Sequence, residues 1–187
     1  MHDAPSEPKA RALLHRGIAK GELGEFEGAV ADFGRVISMP DAPPTHKSDA
    51  LYERGMIRAQ SGDSCEAIAD FDCIIAMSDI SDQLKAHTLF NRGVVKGGMD
   101  DVKGAITDYD LVISMPDASP EDRAKALNNK GATLYKIGDI RTRESLTLAR
   151  SEFEKLGNEA MVARITAFIK QHFKEENKKW WKWGRGN

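Results

Sequence analysis

The stretch KARALLHRG at residues 9–17 returns as KSDALYERG at 47–55, KAHTLFNRG at 85–93 and RAKALNNKG at 123–131. Each copy closes on a cation and a glycine: Arg16-Gly17, Arg54-Gly55, Arg92-Gly93 and Lys130-Gly131, a constant step of 38 residues. A fixed period of this size marks a stacked repeat array, in which each unit buries its apolar face against its neighbours. Such arrays act through an extended surface, so a groove has to be sought before a catalytic group.

The second half of each repeat keeps the same ruler, as GAVADFGRVISMPDA at 28–42, EAIADFDCIIAMSDI at 66–80 and GAITDYDLVISMPDA at 104–118. Val102, Ala105, Ile106, Tyr109, Val112 and Ile113 recur at spacings of three and four, one apolar stripe of a helix. Asp63 with Glu66 reads as an N-terminal box, and Ser119-Pro120-Glu121-Asp122 supplies a cap, a first-turn proline and two carboxylates favoured by the helix dipole. Met-Pro-Asp at 39–41 and 115–117 ends the second helix, because proline cannot continue it. The expected helices are 7–22 with 25–39, 45–61 with 63–77, 82–97 with 100–115 and 120–137 with 139–156, then 158–178.

This arrangement resembles the tetratricopeptide repeat family over roughly Lys9 to Leu156. The resemblance rests on small-residue columns, Gly17, Gly55, Gly93 and Gly131 on the first helix and Ala29, Ala67 and Ala105 on the second. An aromatic column of Phe33, Phe71 and Tyr109 and the Gly-Asp turns at 62–63 and 138–139 complete it. The period exceeds the family's usual 34 by four residues, most simply through a longer loop between hairpins. A cation replaces the family's usual leucine before the glycine. The fourth repeat loses two columns, with Arg143 and Thr147 in register. The resemblance implies an all-α, right-handed α-α solenoid of four helical hairpins (9–46, 47–84, 85–122 and 123–156), preceded by a polar lead (1–8) and followed by a capping helix and tail (157–187).

Composition sets outer bounds. A net charge of −2 over 187 residues argues against bulk nucleic-acid binding. Met1–Lys9 is polar, and no apolar run approaches the ~20 residues of a membrane span. Cys65 and Cys73 lie eight apart on one expected helix, about 12 Å at 1.5 Å per residue, too far for a disulfide. They read as small packing residues in a reducing compartment, so a cytoplasmic, bacterial-type protein is expected.

Chemistry-bearing patterns are sparse. His2, His15, His46, His87 and His172 form no metal-ligand pair, and two cysteines make no zinc framework, so neither metal nor cofactor is expected. Glycines 21, 24 and 28 fall where helices turn, which suits termination better than phosphate binding. Asp100-Asp101 and Asp70-x-Asp72 read as a helix start and an ion-paired or solvated face. No catalytic residue is assigned and an enzyme is not expected.

In the resembled family the first helices line a concave face on which peptides dock. Projecting each first helix inward gives Leu14 and Ile18, Tyr52 and Met56, Phe90 and Val94, then Asn128 and Ala132, over a floor of Gly21, Ala59 and Gly97. Arg11, His87 and Lys125 would rim this groove, which suits an amphipathic helix or apolar peptide of another protein. Alternatively, these side chains pack against neighbouring first helices. The family's carboxylate clamp places Lys and Asn where Leu14 and Ile18 stand, so that specificity is absent.

After a further helix capped by Asn158, with Met161, Ile165, Phe168, Ile169 and His172 or Phe173 as its stripe, comes the segment Lys178–Arg185. It holds all three tryptophans, Trp180, Trp181 and Trp183, with Lys182 between them. Such a segment can pack on the last hairpin, dock on a partner, or work as an adaptor at a membrane surface or single-stranded nucleic acid. Two function classes stay open: a non-catalytic scaffold acting through its groove, and a recruitment adaptor acting through this tail.

Charge counting adds a last expectation. The cations before the glycine number four, whereas the aspartate column Asp32, Asp70 and Asp108 has three members, with Leu146 in the fourth place. Pairing within each repeat would leave Lys130 without its anion. Pairing with the preceding aspartate (Asp32–Arg54, Asp70–Arg92, Asp108–Lys130) would leave only Arg16 over. The count favours the second scheme, although degeneration of the fourth repeat would also remove its aspartate.

Overall fold

The computed structural model describes residues 6–173, and among them there is no β-strand. The helices are α1 (Ser6–Glu22), α2 (Phe26–Ser38), α3 (Pro44–Ser61), α4 (Ser64–Ile75), α5 (Asp82–Gly98), α6 (Val102–Ser114), α7 (Pro120–Lys136), α8 (Thr142–Lys155) and α9 (Glu159–His172). They fall into two compact units, α1–α6 and α7–α9. In the first unit α1–α2, α3–α4 and α5–α6 are hairpins. They stack through α2 on α3, α4 on α5, and the first helices α1, α3 and α5 on one another. In the second unit α7 and α8 form a hairpin and α9 packs on α8. The architecture is all-α, built of hairpins of the α-α solenoid type.

The first three hairpins share one especially close contact. Phe33, Phe71 and Tyr109 are fully buried. A Cβ built on Gly17, Gly55 or Gly93 would stand 2.6, 2.8 and 2.8 Å from the Cε1 atom of these rings. No real side chain tolerates that distance. The glycine on the first helix is therefore the slot into which the aromatic of the second helix is pressed.

The fourth hairpin corrects the sequence reading. Its slot, Gly131, is filled by Leu146, whose Cδ2 lies 2.7 Å from a Cβ built there. Leu146 stands 15 residues after its glycine, whereas the aromatics stand 16 after theirs. The chain is one residue shorter in the turn, where Arg141 binds Asp139 through backbone and side chain before α8 begins. One residue is about 100° of helix rotation, so every column shifts together. Thr142, Ser145, Leu146 and Ala149 are buried where Ala105, Asp108, Tyr109 and Val112 lie in the third repeat, while Arg143 and Thr147 are exposed.

The charged columns also differ from expectation. Arg16, Arg54 and Arg92 each grip the aspartate of their own hairpin with two nitrogens: Nε and Nη2 lie 2.7 and 2.5 Å from Asp32, 3.0 and 2.6 Å from Asp70, and 2.9 and 2.6 Å from Asp108. The pairing of each cation with the preceding repeat's aspartate is thus rejected. A second cation one turn later joins each site, Lys20 at 2.9 Å, Arg58 at 2.7 Å and Lys96 at 2.9 Å, and Asp32 takes a third from Arg35 at 3.2 Å. Bidentate guanidinium contact engages both carboxylate oxygens and fixes the group in plane, and the second cation adds a further bond to Oδ2, the oxygen that Nε also binds. Arg16 holds the Asp32 carboxyl well below the usual range, with help from Lys20 and against the opposing effect of burial. In the fourth hairpin the aspartate becomes Ser145 and the second cation becomes Leu134, fully buried. Lys130 remains, and its charge helps to lower the Asp139 carboxyl, which Arg141 chiefly depresses to about 2.

Two smaller expectations also change. Asp63 stands at the N-cap of α4 without a side-chain capping bond, whereas Ser81, Asp101, Ser119 and Asn158 each accept one. Cys65 and Cys73 are exposed free thiols rather than packing residues, because both lie on the outer side of α4. The turns obey the period closely: positions 24, 62, 100 and 138 all carry positive φ, with Asp100 at 60° where the others are glycine. A short polar side chain tolerates this region best after glycine.

The extra length of the repeat lies between hairpins. After α2 the chain extends at Met39 and folds back so that buried Ala42 donates its N–H to the Met39 carbonyl; Ala118 repeats the contact on Met115.

Candidate functional site

The first helices of the three stacked hairpins frame a cavity of about 790 Å³. One column, Ile18, Met56 and Val94, supplies its apolar wall; the next, Glu22, Gln60 and Gly98, supplies a more polar edge. Gly21 and Ala59 lie at the floor, and Phe26 enters from α2. Met56 and Val94 are 37% and 42% exposed, high for such side chains. The columns converge because residues 38 apart occupy equivalent faces of stacked helices.

Other candidate residues take different places. Leu14 is a correction: it is buried in the first hairpin's core beside Ala10, Val36, Ala50 and Ile57, since α3 covers α1 at that level. Tyr52 and Phe90 are half-buried and outside the cavity lining. Tyr52 tilts on Phe71 at 6.3 Å and accepts a hydrogen bond from Asn91 Nδ2 at 2.9 Å, while Phe90 tilts on Tyr109 at 6.1 Å. Arg11 is exposed on α1, and His87 is half-buried on α5, its carbonyl accepting from Asn91.

In the second unit, Asn128 lines a smaller cavity of about 340 Å³ with Ala132, Arg164, Ile165 and Phe168. Lys125 is exposed and paired with Glu121 at 2.7 Å. Tyr135 stacks edge-on against Phe168 and meets His172 Nδ1 at 2.8 Å, so α9 is pinned by an aromatic cluster. Trp180, Trp181, Lys182 and Trp183 lie outside the described residues, as does the expected end of α9 at 178.

Sequence reasoning passed over Glu53, which also lines the large cavity. Its column, His15, Glu53, Asn91 and Asn129, precedes the cations and was visible as a polar series at the same step. Burial pushes the Glu53 carboxyl up from its usual range, and the neighbouring Asp49 charge pushes the same way. Among the described residues no group of histidine, cysteine or carboxylate side chains is arranged to hold a metal ion, and no helix is long and apolar enough to cross a membrane.

No family model and no curated protein matches the chain. Solved structures do. The crystal structure of MamA protein superposes with a TM-score of 0.63 at 15% identity, covering 87% of this chain and 88% of that one. MamA AMB-1, in crystal form P212121, gives 0.57 at 11% identity, covering 92% and 96%. At such low identity the likeness is one of fold, and it supports a tetratricopeptide-type helical architecture.

Proposed function

We propose that this chain is a non-catalytic protein–protein interaction scaffold, a 38-residue variant of the tetratricopeptide array, whose α1/α3/α5 groove holds a peptide segment or amphipathic helix. The carrying observation is the convergence of Ile18, Met56 and Val94 on one open cavity with two of the three substantially exposed. Exposed aliphatic side chains in a concave site lose water contact when a partner's apolar side chains enter, at roughly 25 cal/mol per Å². A groove of small and flexible residues fits a helix or extended peptide better than a small polar substrate.

The test replaces Met56 and Val94 together by serine in the full chain. Partner capture on the immobilised protein should be lost while the far-ultraviolet circular dichroism stays unchanged. Capture that persists in this variant would move the binding surface elsewhere.

A further inference from the structure

The groove's charge is one-sided. Its two charged lining side chains, Glu22 and Glu53, are both carboxylates. Glu53 is half-buried and receives neither a hydrogen bond nor a cation from any described residue, with Asp49 adding a like charge nearby. A carboxylate partly removed from water is stabilised by an opposite charge. The groove therefore calls for an occupant that brings apolar side chains and cations together.

The chain carries a segment of that chemistry. Lys178–Arg185 reads KKWWKWGR: four cations, all three tryptophans and no acidic residue. Fully extended, eight residues span about 26 Å. Three adjacent helix axes span about 16–20 Å, so the segment is long enough to cross α1, α3 and α5. Its tether to the last described residue, Phe173, is residues 174–177, at most about 14 Å of chain. Docking between copies, unlike docking within one chain, grows with protein concentration and is therefore directly testable.

We propose that residues 178–185 of one copy dock in the α1/α3/α5 groove of a second copy, indoles on the Ile18, Met56 and Val94 column and lysines against Glu53 and Glu22. The inference rests on reading the groove as the peptide site. Because groove and segment are different surfaces, the contact is heterologous, and repeated head-to-tail it need not close.

The experiment uses the full chain, whose tryptophan emission reports this segment alone. With increasing protein concentration the emission should shift to the blue in step with a rising sedimentation coefficient. A synthetic peptide of residues 174–187 added in excess should reverse the rise. The double variant Glu22→Lys/Glu53→Lys should need at least tenfold higher concentration for both changes, and Glu22→Gln/Glu53→Gln serves where charge reversal impairs folding. Emission independent of concentration, or association untouched by both charge variants, overturns the proposal. If that happens while Met56→Ser/Val94→Ser still abolishes capture of a foreign partner, the self-docking idea falls and the scaffold reading stands.

Discussion

The first three hairpins and the fourth fill the same space by opposite chemistry. In hairpins one to three a buried aspartate is held by at least two cations beside an aromatic ring; in the fourth, Ser145, Leu134 and Leu146 take the places of the acid, the second cation and the ring. An ionic latch needs all its members, because an acid without its cations is an uncompensated buried charge. The change from aspartate to serine is accordingly accompanied by the change from cation to leucine. The pair teaches that the glycine slot is the constant of this fold and the latch is one of two ways to line it.

The largest expected effect tests that constant. Phe71→Ala should lose about 3–5 kcal/mol in urea unfolding, since the ring is fully buried and faces a glycine that offers no side chain of its own to fill the space. A loss under about 1 kcal/mol would break the claim that slot filling outweighs charge.

The latch comes next. Asp70→Ser alone should cost about 2–3 kcal/mol, because Arg54 and Arg58 keep some solvent contact. Adding Arg58→Leu recreates the fourth hairpin's solution and should recover at least half; strict additivity of the two substitutions would refute the coupling.

Acid provides a related test without changing the core. The Asp32 carboxyl is depressed on folding, so its stabilisation is present above its unfolded value of 3.8 and is lost as pH falls from there through the folded value. The wild-type midpoint should therefore decline below about pH 4 more steeply than that of Asp32→Ser. Parallel curves would show the latch to be energetically silent.

The reverse transplant, Ser145→Asp, should destabilise by about 1–3 kcal/mol by burying a carboxylate beside Leu134, with Leu134→Lys returning part of the loss. Differential scanning calorimetry would read both variants.

The smallest effect is a gain. Arg92 binds Asp72 of the preceding hairpin, and the position 38 residues before Asp72 is Gly34. A Cβ there would sit 3.6 Å from Arg54 Nη1, an ordinary contact. Gly34→Asp should add about 0.5–1 kcal/mol through a better helix former and a new ion pair. An unchanged urea midpoint would show that the junction between hairpins one and two does not accept the chemistry of the junction between hairpins two and three.

Much of this fold was legible because a repeat multiplies weak signals. A single Gly55 says little, whereas four cation-glycine steps at one interval locate every first helix. The fourth second helix was misread because a one-residue deletion rotates a helix without altering its composition, and a fixed ruler then lands on Arg143 and Thr147 instead of Thr142 and Leu146. Ion pairing was misread because counting anions against one cation column ignored the second, Lys20, Arg58 and Lys96, one turn along the same face. For the groove, the projection named Ile18, Met56 and Val94, which meet in the cavity, but not Glu53. It also included Leu14, which α3 covers. Projection of one helix shows direction, and only neighbouring helices decide exposure.

The placement of the latch bears on how such a chain changes length over generations. A carboxylate and both its cations lie within one 38-residue unit, so duplication or loss of a whole unit by recombination carries a complete, internally neutralised module. Partners divided between units would leave a severed half at every new junction. In this molecule the Arg92–Asp72 bond is of that divided kind, so a recombination event at the junction between the second and third modules would sever it.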